Sequence, residues 1–84
     1  MPDDNSPVQH AIAMRKVDPD TNMARFYVLT LERDLFGRFA VTRQWGRAGT
    51  AGRVITEPYA DETAAAEAMA AYAAAKRGRG YRDL

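Results

Sequence analysis

The sequence predicts an α+β fold: an antiparallel sheet of about four strands, with one C-terminal helix packed on one face. Three observations lead to this fold class. Four segments with the composition of strands lie between Val8 and Tyr59, and turn-forming residues separate them. After Ala60 the composition changes to an alanine-rich stretch that is typical of a helix. Strands in succession, followed by a helix, indicate an antiparallel sheet with the helix lying over it.

The first two predicted strands contain most of the large apolar residues. The first strand is predicted for residues 8–17, with Ile12 and Met14 on one face, and the turn formers at 18–22 end it. The second strand, residues 25–32, is rich in aromatic and β-branched residues. It has one alternating apolar face, made of Tyr27, Leu29 and Leu31.

The third strand, predicted for residues 38–45 after a turn at 34–37, has an imperfect pattern. Val41 shares a face with Arg43 and Trp45, and a charged side chain is unfavourable in a core. We therefore expect the strand to twist or bulge before Trp45, or to end in solvent at the sheet edge.

A glycine-punctuated turn at 46–52 leads to the fourth strand, residues 53–59. Pro58 cannot donate a hydrogen bond to a ladder, which places this strand at an edge of the sheet. The helix is predicted for residues 63–77, with Asp61 as its N-cap and glycines beyond its last turn.

The chain of 84 residues suffices for one domain, which we assign to residues 8–84. Residues 1–7 form a polar leader that we expect to be disordered. The absence of cysteine excludes a disulfide framework and a thiolate metal site. No apolar stretch approaches the roughly 18 residues of a membrane span. The acidic start is also unlike a secretory signal, so we expect a cytoplasmic protein with no membrane partner.

A net charge of +1 conceals two basic segments. Six arginines and only two acidic residues lie between Arg25 and Arg53, and residues 76–82 carry four more cations. This distribution suits a local patch for phosphate, although a solvated arginine face is an equally common outcome.

The residues that could carry catalysis do not form a plausible constellation. His10 is the only histidine, and Ser6, the only serine, lies in the leader. Asp18 and Asp20 have the spacing of a calcium loop but lack its glycine and its bidentate glutamate. We therefore expect a non-enzymatic chain with no metal and no cofactor.

The glycines at positions 46, 49 and 52 have two interpretations. A glycine-rich backbone can cradle phosphate, but this spacing is neither the dinucleotide fingerprint nor a P-loop. The segment also leads into a strand rather than a helix. A β-turn that needs positive φ at two or three points is the favoured interpretation.

Trp45, Gly46 and Arg47 form the most distinctive cluster in the sequence. A flat apolar ring beside a fork of donors can stack on a base or sugar and hold a phosphate. Alternatively, Trp45 caps the small core and Arg47 is solvated. The residue types by themselves leave both possibilities open.

The segment Trp45-Gly46-Arg47-Ala48-Gly49-Thr50-Ala51-Gly52 resembles the signature of the WGR domain family. Further similarities are a basic-Phe-Tyr strand at 25–27, a turn at 35–37 and a lysine-then-aromatic ending at 76–81. The resemblance thus covers about residues 8–81. The family occurs beside a catalytic domain in poly(ADP-ribose) polymerases, and also in small bacterial proteins.

The resemblance implies roles for particular residues. In the polymerases the domain binds broken DNA ends, its tryptophan packing on a terminal sugar and its arginine helping to dock a neighbouring domain. It implies that Trp45 stacks, that Arg47 contacts a phosphate or a partner, and that Arg25 faces the DNA backbone. Arg43 joins these candidates from strand alternation, not from the family. The chain departs from the polymerases at Ala24, where they often have asparagine, and its 84 residues hold no catalytic domain.

We therefore expect a non-catalytic, monomeric nucleic-acid-binding module that recognises DNA ends or nicks. The alternative is a protein-interaction adaptor that uses Trp45 and Arg47, because these residue types are common in interface hot spots. An enzyme ranks a distant third.

Overall fold

Within residues 8–84, five antiparallel strands form one open sheet, and a single α-helix lies on one of its faces. The computed structural model describes residues 8–84, so the leader predicted for residues 1–7 lies outside the described residues. The strands follow one another across the sheet in the order β4-β3-β2-β1-β5. The elements are β1 Val8–Asp18, β2 Met23–Arg33, β3 Phe39–Arg47, β4 Arg53–Tyr59, α1 Glu62–Gly78 and β5 Arg82–Asp83. The predicted fold class is confirmed, and so is the edge position of β4.

A tight connection joins β1 to β2. A short 3-10 turn, Pro19–Thr21, links the two strands, and the Asp18 side chain accepts a hydrogen bond from Asp20 N at 3.1 Å. Asn22 closes the turn in the left-handed region at φ 53°, which asparagine tolerates better than most residues. The turn sets a register in which Met14 lies opposite Tyr27, so the predicted apolar faces of both strands coincide.

The fifth strand is an element that the sequence pattern did not predict. Arg82 and Asp83 pair with Arg15 and Met14 of β1, and Leu84 N donates to Ala13 O at 2.9 Å. Two residues are too few to show an alternating pattern, so only the return of the chain after α1 reveals this strand.

The helix packs its alanines against the sheet. Asp61 accepts a hydrogen bond from Ala64 N at 2.8 Å and begins the helix as the predicted N-cap. The helical positions buried against the sheet repeat every four residues. Small side chains let the helix approach closely, so few large residues fill the core. The core consists of Met14, Tyr27, Leu29, Leu31, Val41, Ala65, Met69, Ala73 and Tyr81.

Strand β3 runs straight through the segment where the sequence led us to expect a bulge. Its pairing with β2 is unbroken from Phe39 to Arg47, and β4 pairs along its other side. The expected distortion before Trp45, or an end in solvent at the sheet edge, is therefore wrong. Arg43 stays on the helix-covered face because Glu57 lies close enough to neutralise it.

Candidate nucleic-acid interface

Three cations lie side by side on the helix-covered face of the sheet, beyond the C-terminal end of α1. Lys16 of β1 lies opposite Arg25 of β2, and Arg25 lies opposite Arg47 of β3. Directly opposed residues of antiparallel strands have side chains on the same face, about 5 Å apart. Like charges in that arrangement repel one another. We refer to Lys16, Arg25 and Arg47 as the basic row.

The end of α1 adds further positive charge above the basic row. Lys76 Nζ lies 4.8 Å from the ring centroid of Tyr27 and 5.4 Å from that of Tyr81. Lys16 Nζ lies 6.0 Å from the Tyr81 ring, so two ammonium groups flank this tyrosine. Burial lowers the pKa of Lys76, and the nearby charges of Arg79, Arg43, Arg25 and Lys16 lower it further. These four neighbouring cations place a local excess of positive charge at the end of α1.

An open cleft of about 310 Å³ lies between the basic row and the helix end. Its lining combines cations with aromatic rings: Arg25, Trp45, Gly46, Arg47, Lys76 and Tyr81. Cations that grip a backbone, placed beside rings on which a base or sugar can stack, are the usual parts of a single-strand or end-binding site.

Trp45 is half-buried at one wall of this cleft. Its ring centroid lies 6.4 Å from that of Tyr27, with the planes tilted by 41°. Tyr27 in turn meets Tyr81 edge-on at 6.2 Å. Trp45 therefore packs against the core and still lines the cleft, which combines features of both interpretations offered by the sequence.

The turn after Trp45 explains the spacing of its glycines. A Cβ on Gly46 would come within 2.8 Å of the Gly52 Cα, and a Cβ on Gly52 would overlap the Trp45 carbonyl oxygen. Gly49 and Gly52 have positive φ, at +88° and +69°. Thr50 closes the turn by donating from its hydroxyl to Arg47 O at 2.8 Å. Close packing and positive φ account for these glycines, in agreement with the β-turn interpretation.

Arg43 occupies a different environment from the other predicted site residues. Its Nη2 donates to Glu57 Oε1 at 2.8 Å, and its guanidinium lies 4.4 Å from the Tyr72 ring centroid and 5.7 Å from that of Trp45. The Tyr72 hydroxyl donates to the same Glu57 oxygen at 3.0 Å. Burial, with this hydrogen bond, raises the pKa of Tyr72 to about 12. The structure thus brings Arg25, Trp45, Gly46 and Arg47 together at the cleft and leaves Arg43 off its lining.

The cations of the basic row and Lys76 form no ion pair with an acidic side chain of residues 8–84. Within residues 8–84, the ion pairs are Arg38–Asp34, Arg43–Glu57 and Arg77–Asp83. None of these involves the basic row or Lys76. In the same part of the chain, no three His, Cys, Asp or Glu side chains cluster as a metal site, and no helix is long and apolar enough to cross a membrane.

Sequence reasoning missed Lys76 and Tyr81, which line this cleft, and Lys16, which lies beside it in the basic row. Lys16 continues the alternation of Ile12 and Met14, so the strand period already placed it on the helix-covered face. Lys76 and Tyr81 belong to the segment that carried the resemblance at the end of the chain. Nothing in the linear pattern predicts that this segment returns beside Trp45.

The WGR domain family model matches residues 10–84. The chain therefore belongs to the WGR domain family, a family of nucleic-acid-binding modules. It is also 36% identical over 73 residues to an uncharacterized protein, y4dW, of Sinorhizobium fredii (strain NBRC 101917 / NGR234). The alignment covers 87% of this chain and 36% of that relative, so the chain spans about a third of the relative's length. No solved structure matches the chain.

Proposed function

We propose that this chain binds nucleic acid in the cleft between the basic row and the end of α1, and that it acts without catalysis. The observation that carries the proposal is the basic row itself. Three directly opposed cations cost stability in the free protein unless an anion neutralises them. A phosphate backbone supplies repeated negative charges at a spacing that several such side chains can engage at once.

The attraction for phosphate comes from side chains and not from the helix. The C-terminal end of a helix carries a partial negative charge, which disfavours anions within its last turn. Lys76 and Arg79 lie at this end and offset that charge. The guanidinium groups of Arg25 and Arg47 provide the forked donors that bind phosphate oxygens in pairs.

The half-buried position of Trp45 supports a preference for ends or nicks. One part of its ring packs on the core, so the ring offers a single apolar surface at the wall of the cleft. In an intact duplex the bases are stacked and paired and each sugar is flanked by its neighbours along the strand, whereas a terminus or nick exposes a base face or a sugar that can pack on this surface. We infer that Trp45 contacts that terminal unit while Arg25, Arg47 and Lys76 hold the neighbouring phosphates.

Fluorescence anisotropy with labelled intact, nicked and blunt-ended duplexes tests the proposal. We expect Arg47→Ala to weaken binding by about 10-fold or more, because it removes charge-assisted hydrogen bonds. Arg33→Ala is the matched control, since Arg33 is an exposed arginine at the other end of β2. It should leave the affinity nearly unchanged. Equal losses in the two variants would show that net charge, and not this cleft, governs binding.

The role of Trp45 needs two variants, because its ring also packs on the core. Trp45→Ala should weaken end binding by about 10-fold through loss of stacking, and Trp45→Phe should retain most of it. Thermal unfolding of each variant separates lost binding from lost folding. Equal affinity of wild type for intact and broken duplexes would overturn the preference for ends.

The second candidate is a protein-interaction adaptor that uses the same surface. The lining of the cleft supports this candidate, because it contains tryptophan, tyrosine and arginine, the residue types most common in interface hot spots. Salt distinguishes the two candidates, because phosphate binding falls with a slope of about −0.9 per contact on duplex DNA. No binding to any duplex at about 50 mM salt would favour the adaptor.

A further inference from the structure

No strand of residues 8–84 lies beside the outer edge of β4, so part of its backbone faces away from the sheet. Ala48 N donates to Ala24 O at 3.0 Å, and Asp34 N donates to Arg38 O at 2.8 Å, which fixes the bonded pairs between β2 and β3. Bonded pairs alternate along an antiparallel ladder, so the even-numbered residues of β3 bond to β2 and the odd-numbered ones bond to β4. In β4, Val54 and Thr56 therefore direct their N–H and C=O groups to the free side.

The contact between Thr42 and Thr56 supports this assignment. Their hydroxyl oxygens lie 2.9 Å apart, and side chains approach most closely in pairs that do not exchange backbone hydrogen bonds. Pro58, two residues further on, has the same orientation. It therefore directs its nitrogen, which has no hydrogen, away from β3.

The sequence of β4 is complementary to itself in an antiparallel arrangement. A two-fold axis through Ile55 places Arg53 of one copy opposite Glu57 of the other, and Val54 opposite Thr56. Glu57 Oε1 already accepts from Arg43 and Tyr72 of its own copy. Arg53 of the second copy would therefore approach the other carboxylate oxygen, and this contact occurs twice in the pair. The same register joins the outward groups of Val54 to those of Thr56 in the second copy, giving four backbone hydrogen bonds.

We propose that β4 pairs with β4 of a second copy of this chain, forming a two-fold symmetric dimer with a continuous ten-stranded sheet. Val54 and Ile55 are 58% and 38% exposed, so this edge strand leaves two large apolar side chains open to solvent. Because opposed residues share a face, both helices lie on the same side of the joined sheet. The proposal departs from the monomer that the sequence led us to expect, and it is independent of nucleic-acid binding.

Charges and proline often protect an edge strand from pairing, and β4 has both. Here their positions restrict the edge to one register. Pro58 lies beyond the four hydrogen bonds and ends the ladder. Other registers of the same orientation bring Arg53 or Glu57 against an uncharged residue or its own copy. An interface of this size falls at the small end of specific contacts, so we expect a weak dimer that depends on concentration.

Single-cysteine variants test the register, because the chain has no cysteine of its own. The axis brings the two Ile55 residues directly opposite each other, within the Cα separation of a disulfide. Under mild oxidation, Ile55→Cys should form a covalent dimer several-fold faster than Val17→Cys. Val17 is an exposed strand residue of the same sheet, three strands away from β4. Equal crosslinking of the two variants would overturn the proposal.

Analytical ultracentrifugation of the whole chain tests the dimer without a crosslink. Wild type should shift from 9.3 kDa towards twice that mass between about 10 µM and about 1 mM. Thr56→Pro removes an outward N–H without removing a bond to β3, and Arg53→Glu places like charges opposite each other. Both should keep the circular dichroism of a folded chain and weaken association by about 10-fold. A wild type that stays at 9.3 kDa throughout this range would refute the proposal.

Discussion

Arg43 and Glu57 form an ion pair on the helix-covered face of the sheet, with Nη2 and Oε1 separated by 2.8 Å. The Arg43 side chain is only 22% exposed, and Tyr72 lies against it and shares its acceptor. Glu57 therefore balances the one guanidinium that the regular course of β3 places under α1. This pair explains how a strand with a charged residue on its inner face stays straight.

We predict that Glu57→Ala destabilises the fold by about 2 kcal/mol, because it leaves Arg43 and the Tyr72 hydroxyl without their acceptor. Urea denaturation of wild type and variant measures this change. Asp83→Ala is the control, because Arg77–Asp83 is an ion pair of similar length between half-exposed side chains. Exposed pairs contribute little, so the two variants should differ clearly. A Glu57→Ala variant as stable as wild type would show that solvent hydrates Arg43 adequately.

Arg43 also marks where prediction from the sequence succeeded and failed. Strand alternation placed it correctly on the face of Val41 and Trp45. The sequence could not show that Glu57, 14 residues later, would lie beside it, so a bulge was expected instead. The same limit applies to the cleft. Periodicity predicts the face on which each cation lies, but only the return of the chain after α1 brings residues 76–81 next to Trp45.

The turn after Trp45 permits a comparison of two glycines. Gly52→Ala should destabilise the protein by about 3 kcal/mol, because the added Cβ meets the Trp45 backbone and the φ of +69° is strained for alanine. Gly49 also has a positive φ, +88°, but no atom lies within 4 Å of a Cβ added at this position. The comparison variant is therefore Gly49→Ala. It should cost only about 1 kcal/mol. Thermal unfolding of both variants measures which substitution costs more. A smaller loss for Gly52→Ala than for Gly49→Ala would mean that the turn rearranges around position 52.

Tyr72 should lose its proton later than an ordinary tyrosine. Its pKa is raised to about 12 from 10.0, so the folded chain holds the proton more tightly than the unfolded chain does. The resulting stabilisation is fully present below pH 10.0 and is lost as the pH rises towards about 12. Ultraviolet titration should show a late tyrosinate step that Tyr72→Phe removes. If Tyr72→Phe instead removes a tyrosinate step near the ordinary pKa of tyrosine, the pKa of Tyr72 is not raised.

The basic row predicts opposite effects of one substitution on stability and on binding. Lys16→Gln removes a positive charge that lies directly opposite Arg25, so the free protein should gain a few tenths of a kcal/mol, about 0.3. The gain should shrink as salt screens the repulsion. The same variant should bind nucleic acid more weakly and with a shallower salt dependence, because one phosphate contact is lost.

A control elsewhere in the sheet separates this effect from a general change in charge. Arg33 is exposed at the far end of β2, and its cross-strand partner in β3 is the uncharged Phe39. Arg33→Gln changes the net charge equally, so it should neither raise the stability nor make the salt dependence shallower as Lys16→Gln does. A Lys16→Gln variant that is less stable than wild type would mean that Lys16 contributes more through Tyr81, 6.0 Å from its Nζ, than it costs through Arg25. We expect a variant that is more stable and binds nucleic acid more weakly, because the cations of the basic row repel one another in the free protein and a bound polyanion neutralises them.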